Sequence, residues 1–237
     1  MVLSTNDQEW SLRLLGGWSL AYGGRPVAAQ GRPQRLIALL ALRGPTSRVQ
    51  LRQLLWPSST PSRAANSLRV ALWHISHTFP ELLADVHDPI SLSADVTVDV
   101  HELFRLIDRV ESGQDPLTHA EPLRLLAAEL LPDWYDEWIV AEQERLRARL
   151  LRALERLADE HLATGDYRQA LDCAHGAVQL DPLSETSHQL LIECHIGAGN
   201  YVIAHRTFNR YRDRMMRELD VEPSPRLHRH LSTLRRA

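Results

Sequence analysis

Apolar residues change their spacing several times along the first eighty positions, and each change marks an element. Residues 12–15 and 18–22 are short mixed runs set off by Gly16-Gly17 and Gly23-Gly24. They predict small antiparallel strands joined by turns, with a further extended piece at Val27. After Pro33, a good first-turn residue, Leu36, Ile37, Leu39, Leu40 and Leu42 crowd one segment, so the helix they form is central and ends near Gly44-Pro45. Ser47 and Gln50 have the spacing of a capping box, and Leu51, Leu54 and Leu55 give a short second helix its apolar face before Pro57. Thr60 caps a third helix with Pro61 in its first turn. At roughly 100° per residue, Ala65, Leu68, Leu72, Ile75 and Phe79 gather on one side of that helix. The other side presents Arg63, Asn66, Ser67, Val70, His74 and His77, flanked by Arg69 and Trp73.

Past the third helix, 84–86 and Ile90 to Ser93 flank the turn His87-Asp88-Pro89 and read as a hairpin that completes a winged helix. Farther along, the pattern repeats itself. Gly165-Asp166-Tyr167 followed by Ala170 recurs as Gly199-Asn200-Tyr201 followed by Ala204, a shift of 34 residues, which is the tetratricopeptide period. Leu154, Leu157, Gly165, Ala170, Ala174, Ala177 and Pro182 fall where such a repeat needs large, small and helix-stopping residues. The second copy has Leu191, Gly199, Ala204, Phe208 and Tyr211 but lacks the closing proline, so its last helix runs on to about Arg217. Glu222-Pro223-Ser224-Pro225 breaks that helix, and a terminal helix to about Leu234 caps the stack. Tyr167 and Tyr201 are expected to be packing residues.

Composition sharpens the picture chiefly through what is missing. All 27 basic residues among the 237 are arginine. Without lysine there is no Walker-type phosphate loop, no pyridoxal Schiff base and no lysine nucleophile. Cys173 and Cys194 are too few for a disulfide framework and lack metal-ligand spacing, although His175 and His195 lie beside them, so no metal and no cofactor are expected. Gly17-Trp18-Ser19-Leu20-Ala21 comes within one residue of a nucleophile elbow, but glycines and a proline follow where the helix should be. The start carries acids and no basic run, and the longest apolar run, Leu36 to Leu42, cannot span a bilayer. A cytoplasmic, nucleoid-associated, non-enzymatic protein is the expectation.

Charge is unevenly placed. Between Glu9 and Glu81 there is no acidic residue, yet that stretch holds Arg13, Arg25, Arg32, Arg35, Arg43, Arg48, Arg52, Arg63 and Arg69. Residues 84–160 reverse the balance, with 18 acids against 8 arginines. A basic block joined to an acidic or neutral remainder is the footprint of nucleic-acid binding, because a polyanion attracts the arginines and repels carboxylates. On the third helix, arginine and asparagine can pair with base edges and phosphates in a major groove. The candidate DNA-binding residues are therefore Arg48, Arg52, Arg63, Asn66, Ser67, Arg69, Val70, Trp73, His74 and His77. The plainer alternative is an amphipathic helix whose polar face meets only water.

With sheet, three helices and hairpin in order, and Asn66-Ser67-Leu68-Arg69-Val70-Ala71-Leu72-Trp73 in the last helix, the N-terminal part resembles the OmpR-type output domain of the Streptomyces antibiotic regulatory protein (SARP) family. The remainder is similar to that family's bacterial transcriptional activation domain. Val98-Asp99-Val100-His101-Glu102-Leu103 resembles the entry into it, and Leu131-Pro132-Asp133-Trp134-Tyr135-Asp136-Glu137-Trp138 an acidic-aromatic motif within it. The resemblance covers about residues 11–235. One departure is that relatives commonly carry basic residues at the end of the recognition helix and in the wing, where this chain has His74 and His77 and no arginine between Arg69 and Arg105. The NTPase, sensor and receiver modules of larger relatives are not legible in the chain.

The expected fold is mainly α: a winged helix-turn-helix with a small β-sheet and wing over 1–97, then an all-α tetratricopeptide-like helical repeat domain over 98–237. The resemblance implies an activator that binds direct repeats in double-stranded promoter DNA, as a homodimer on them, and engages the sigma and alpha subunits of RNA polymerase. Asp133, Trp134, Asp136, Glu137 and Trp138 are the candidate partner-binding residues, with internal packing as the alternative role. A tetratricopeptide adaptor that binds only protein, and a repressor built on the same DNA-binding domain, are the competing functions.

Overall fold

A computed structural model describes residues 9–85, 87–113 and 129–227 of the chain. The protein is mainly helical with a small sheet at its N-terminal end. The described residues fall into two compact units, 9–103 with 129–144 and 104–113 with 145–227.

Three strands open the first unit: β1 (Trp10–Arg13), β2 (Ser19–Tyr22) and β3 (Arg25–Val27). They pair antiparallel, Leu12 opposite Leu20 and Leu20 opposite Val27. Trp10 and Leu12 point inward while Ser11 and Arg13 face solvent, the alternation of a half-buried sheet. β1 starts two residues before the expected 12–15 because Trp10 has partners that local spacing cannot reveal. Its ring lies 4.7 Å from Tyr22 and 5.8 Å from Phe79, and its Nε1–H donates to the Pro80 carbonyl at 2.8 Å. Between β2 and β3, Gly23 and Gly24 both take positive φ, 53° and 72°, as a type I′ turn requires.

Helix α1 (Arg32–Arg43) buries Leu36, Ile37, Ala38, Leu39, Leu40 and Ala41 in succession, which makes it the centre of this unit. In α2 (Arg48–Leu55) the capping box is present: Gln50 N–H donates to Ser47 Oγ at 3.3 Å and Ser47 N–H to Gln50 Oε1 at 3.4 Å. Thr60 Oγ1 accepts from Arg63 N–H at 3.4 Å and starts α3 (Pro61–Thr78). The buried stripe of α3 is Ala64, Leu68, Ala71, Leu72 and Ile75, so the innermost alanine is Ala64 rather than Ala65. β4 (Leu83–Asp85) and β5 (Ser91–Leu92) form the wing hairpin, with Val86 outside the described residues.

Two later segments complete this unit. β6 (Thr97–Val98) pairs parallel with β1, giving the order β3-β2-β1-β6. Immediately after it, the Asp99 carboxylate accepts the amides of Leu14 and Leu15, each at 2.9 Å. Residues 129–131 run beside the same stretch: Gly16 N–H donates to the Glu129 carbonyl at 2.7 Å and Leu131 N–H to the Leu14 carbonyl at 2.9 Å.

The second unit is built from the later part of α4 (Asp99–Ser112), most of α5 (Glu137–Thr164), and α6 (Tyr167–Leu180), α7 (Glu185–Gly197) and α8 (Tyr201–Leu219). Arg149 of α5 reaches Asp108 at 2.5 Å and Glu111 at 3.0 Å and lies over the Phe104 ring. The 34-residue repeat is real in three dimensions. Ala170, Ala174 and Ala177 are buried at one period and Ala204, Phe208 and Tyr211 at the next. Its two tyrosines, however, part ways. Tyr167 packs so closely on α7 that a Cβ at Gly197 would lie 2.3 Å from its ring, whereas Tyr201 is 55% exposed and is not a packing residue. Leu227 is buried against Ile192, Ala204, Phe208 and Tyr211. The terminal helix expected to about Leu234 lies mostly outside the described residues.

Cys173 and Cys194 are buried thiols that burial pushes up to about 12 and about 11. The rings of His175 and His195 are 5.9 Å apart, and no group of three or more potential metal ligands gathers among the described residues. No described helix is long and apolar enough to cross a membrane.

Candidate nucleic-acid interface

The buried stripe of α3 fixes which residues point away from the protein. Arg63, Asn66, Arg69, Val70, Trp73, His74 and His77 are exposed on the opposite arc, and Ser67 is half-buried at its margin. Two of these are large apolar side chains: Val70 is 47% exposed and Trp73 61%. The face is nevertheless ordered. Arg69 Nη2 donates to Asn66 Oδ1 at 2.5 Å one turn away. His77 Nδ1 lies 2.8 Å from the Trp73 carbonyl, and its ring covers the indole at 4.3 Å between centroids. His74 meets Phe79 edge to face at 6.0 Å.

Beside this face, Arg52 of α2 donates through Nε to the Arg48 carbonyl at 3.2 Å. The Arg48 amide donates to Asp88 Oδ1 at 2.7 Å, so a carboxylate from the wing turn already sits at the α2 N-terminus. A groove of about 360 Å³ opens between α2 and the start of α3, lined among others by Val49, Arg52, Trp56 and Pro61. Pro57, in the α2–α3 connection, and Pro61, the first residue of α3, both line it.

Five arginines of the basic block fall into two sets. On α1, Arg35 pairs with Asp136, and Arg43 Nε meets Glu142 Oε1 at 2.7 Å. Among the described residues, no carboxylate pairs with Arg52, Arg63 or Arg69. Arg35 and Arg43 are thus neutralised inside the unit, while Arg52 of α2 and Arg63 and Arg69 of α3 keep their charge unanswered by a carboxylate.

The acidic-aromatic motif supplies the carboxylate that meets Arg35. Trp134 stacks with Trp18 at 6.0 Å and meets Trp138 edge-on at 6.3 Å. Trp138 is 4% exposed. Gln143 Nε2 donates to the carbonyls of Leu130 and Leu131, each at 2.9 Å, and locks the motif's start onto α5. Asp136 and Trp138 are therefore committed inside the first unit, while Asp133 and Glu137 stand at its surface. Tyr135, 83% exposed between Trp134 and Asp136, is the motif residue that sequence reasoning passes over.

Residues 109–235 match the family model described as bacterial transcriptional activator domain. A search of curated proteins gives no match. Among solved structures, the chain is similar to EmbR of Mycobacterium tuberculosis, in complex with a low affinity phosphopeptide, with a TM-score of 0.71 at 18% identity. That likeness covers 97% of this chain and 65% of the EmbR chain, so it extends the shared fold through the winged-helix unit. The family match spans more than half of the residues, and the chain belongs to the bacterial transcriptional activator domain family.

Proposed function

We propose that the exposed face of α3 enters the major groove of promoter DNA, with Arg63, Asn66, Ser67, Arg69, Val70, Trp73, His74 and His77 facing the duplex. Arg52, with Arg48 behind it, lies toward the phosphate backbone. The observation that carries this reading is the division of the arginines. Arg35 and Arg43 of α1 are answered by Asp136 and Glu142, whereas among the described residues no carboxylate pairs with Arg52, Arg63 or Arg69. Leaving cations uncompensated costs little when a polyanion is the partner, and phosphate contacts supply most of the affinity.

The DNA contacts fall within residues 1–97 and activation depends on 98–237. The target is a pair of direct repeats occupied by two copies, and the partner at the promoter is RNA polymerase, through its sigma and alpha subunits. Of the acidic-aromatic residues, Asp133 and Glu137 are placed to meet a basic element of that partner, and Trp134, Asp136 and Trp138 hold them in position. Footprinting of the full chain on the DNA upstream of its neighbouring genes, followed by run-off transcription with purified polymerase, tests the whole reading. A protected pair of repeats with increased transcript is expected. Absence of any footprint leaves the protein-only adaptor, and a footprint with reduced transcript identifies a repressor.

A further inference from the structure

Val70 occupies an unusual place. The buried residues of α3 are centred near Leu68, Ala71 and Ile75, and Asn66, Val70 and His77 stand opposite them at about 100° per residue. A β-branched residue is a poor choice for an exposed helix interior and gains nothing from water there. Around it the face is arginine, asparagine, serine and histidine, with Trp73 one turn on.

We propose that the centre of α3 reads a thymine, with Val70 in contact with the C5-methyl group. This rests on the DNA-binding reading given above. The thymine methyl is the one apolar group that base edges present in the major groove, and short aliphatic side chains are its partners. Val70 is shorter than Arg63, Asn66, Trp73 and His74 around it, so it leaves room for the base edge at the middle of the face while longer neighbours extend past it. Trp73, its ring packed at a tilt against His77, stands on the next turn as an apolar neighbour of the contact. The Asn66 carbonyl oxygen accepts from Arg69 and keeps a second lone pair, so it is held in place one turn from Val70 and can still meet an adenine edge. A methyl contact at Val70 reads the thymine of an A·T pair independently of that amide.

The test uses the full chain and lets the protein choose its own target sequence. A random duplex library is enriched for bound sequences, and each thymine of the winner is replaced singly by deoxyuridine, which lacks only the methyl. Affinities are compared at one salt concentration for the parent, Val70→Ala and Val70→Thr, with thermal melts confirming that all three fold. At one thymine per repeat, loss of the methyl is expected to weaken the parent about fourfold, the equivalent of about 0.8 kcal/mol per buried methylene-sized group. Val70→Ala is expected to bind the thymine and uracil duplexes alike, and Val70→Thr to keep part of the difference. If the winner is bound tightly but every uracil substitution is neutral, or if the sensitivity survives Val70→Ala, the thymine assignment is overturned while DNA binding stands. If no sequence is enriched, the DNA-binding reading itself fails and this assignment falls with it.

Discussion

Asp99 offers a stringent test of how the first unit is held together. Its Oδ1 accepts from Leu14 N–H at 2.9 Å and from Val100 N–H at 2.8 Å, and its Oδ2 accepts from Leu15 N–H at 2.9 Å. Asp99→Ala removes both oxygens and leaves the strand β1 exit without acceptors. Leu14 is fully buried, so its amide has no water to turn to, and a buried donor without a partner costs about 1–3 kcal/mol. Leu15 is half-buried and can rehydrate, so its loss is nearer the net worth of one hydrogen bond, about 0.5–1.5 kcal/mol. Together the variant should lose about 2–4 kcal/mol. Hydrogen exchange of the slowest α1 amides should then accelerate by roughly 1.5 to 3 orders of magnitude, at about 1.4 kcal/mol per tenfold. Asp99→Asn should fall between the parent and Asp99→Ala, because its remaining oxygen can still accept from Leu14 while its NH₂ faces the Leu15 donor. An alanine variant whose exchange and melting match the parent, or a neutral asparagine variant, would show that this carboxylate does not clamp the β1 exit.

Three further outcomes are expected. Arg69→Ala and Asn66→Ala should each weaken binding to the selected duplex by about 1–3 kcal/mol, whereas Arg52→Ala should weaken all duplexes alike and reduce the salt slope by about one; equal losses on selected and random DNA at all three positions would remove α3 from base reading. Charge reversal at Glu137 should lower run-off transcription without changing the melt, and reversal at Asp136 should also cost up to about 1 kcal/mol of stability through its half-exposed pair with Arg35, so unchanged transcription in the Glu137 variant removes the partner surface. Burial holds His188 below its ordinary pKa, and burial together with the neighbouring His175 does the same for His195. The folded second unit therefore binds fewer protons than the unfolded chain just below about pH 6.5, so its stability is complete above that value and declines as the pH falls through it. Melts from acid to neutral pH should show this slope, and His188→Phe, which can keep the stack on Tyr211, should flatten it.

Local chemistry made much of this protein readable. The Ser47–Gln50 capping box, the Thr60 cap and the crowded leucines of α1 each depend on residues within a few positions of one another, and each element stands where its residues place it. The exposed arc of α3 follows from the same short-range periodicity, with an error of one residue at Ala64. What local spacing does not contain is pairing across distance. Nothing near Thr97 announces that two residues join β1, and nothing in the acidic-aromatic motif announces that Asp136 meets Arg35, which stands 101 positions earlier. The tyrosines show a different failure. Equivalent positions in a repeat need not share an environment: Tyr167 lies on Gly197, whereas Tyr201 stands exposed.

The threading of the first unit has a consequence for recombination. Residues 129–144 pack with the winged helix, although they lie well inside the stretch that matches the activator-domain family and are separated from the winged helix in sequence by residues of the second unit. A chimera that joins this winged-helix half to a foreign partner domain at a single crossover near residue 97 would leave Leu14, Arg35 and Arg43 facing an unfamiliar surface. Grafts that carry Asp99, Leu131, Asp136 and Glu142 along with the winged helix, and rejoin the foreign sequence inside α5, preserve the contacts that the strands and α1 require. Exchange of one unit of this chain for a foreign one therefore requires paired crossovers, because its two units are interleaved rather than consecutive blocks of sequence.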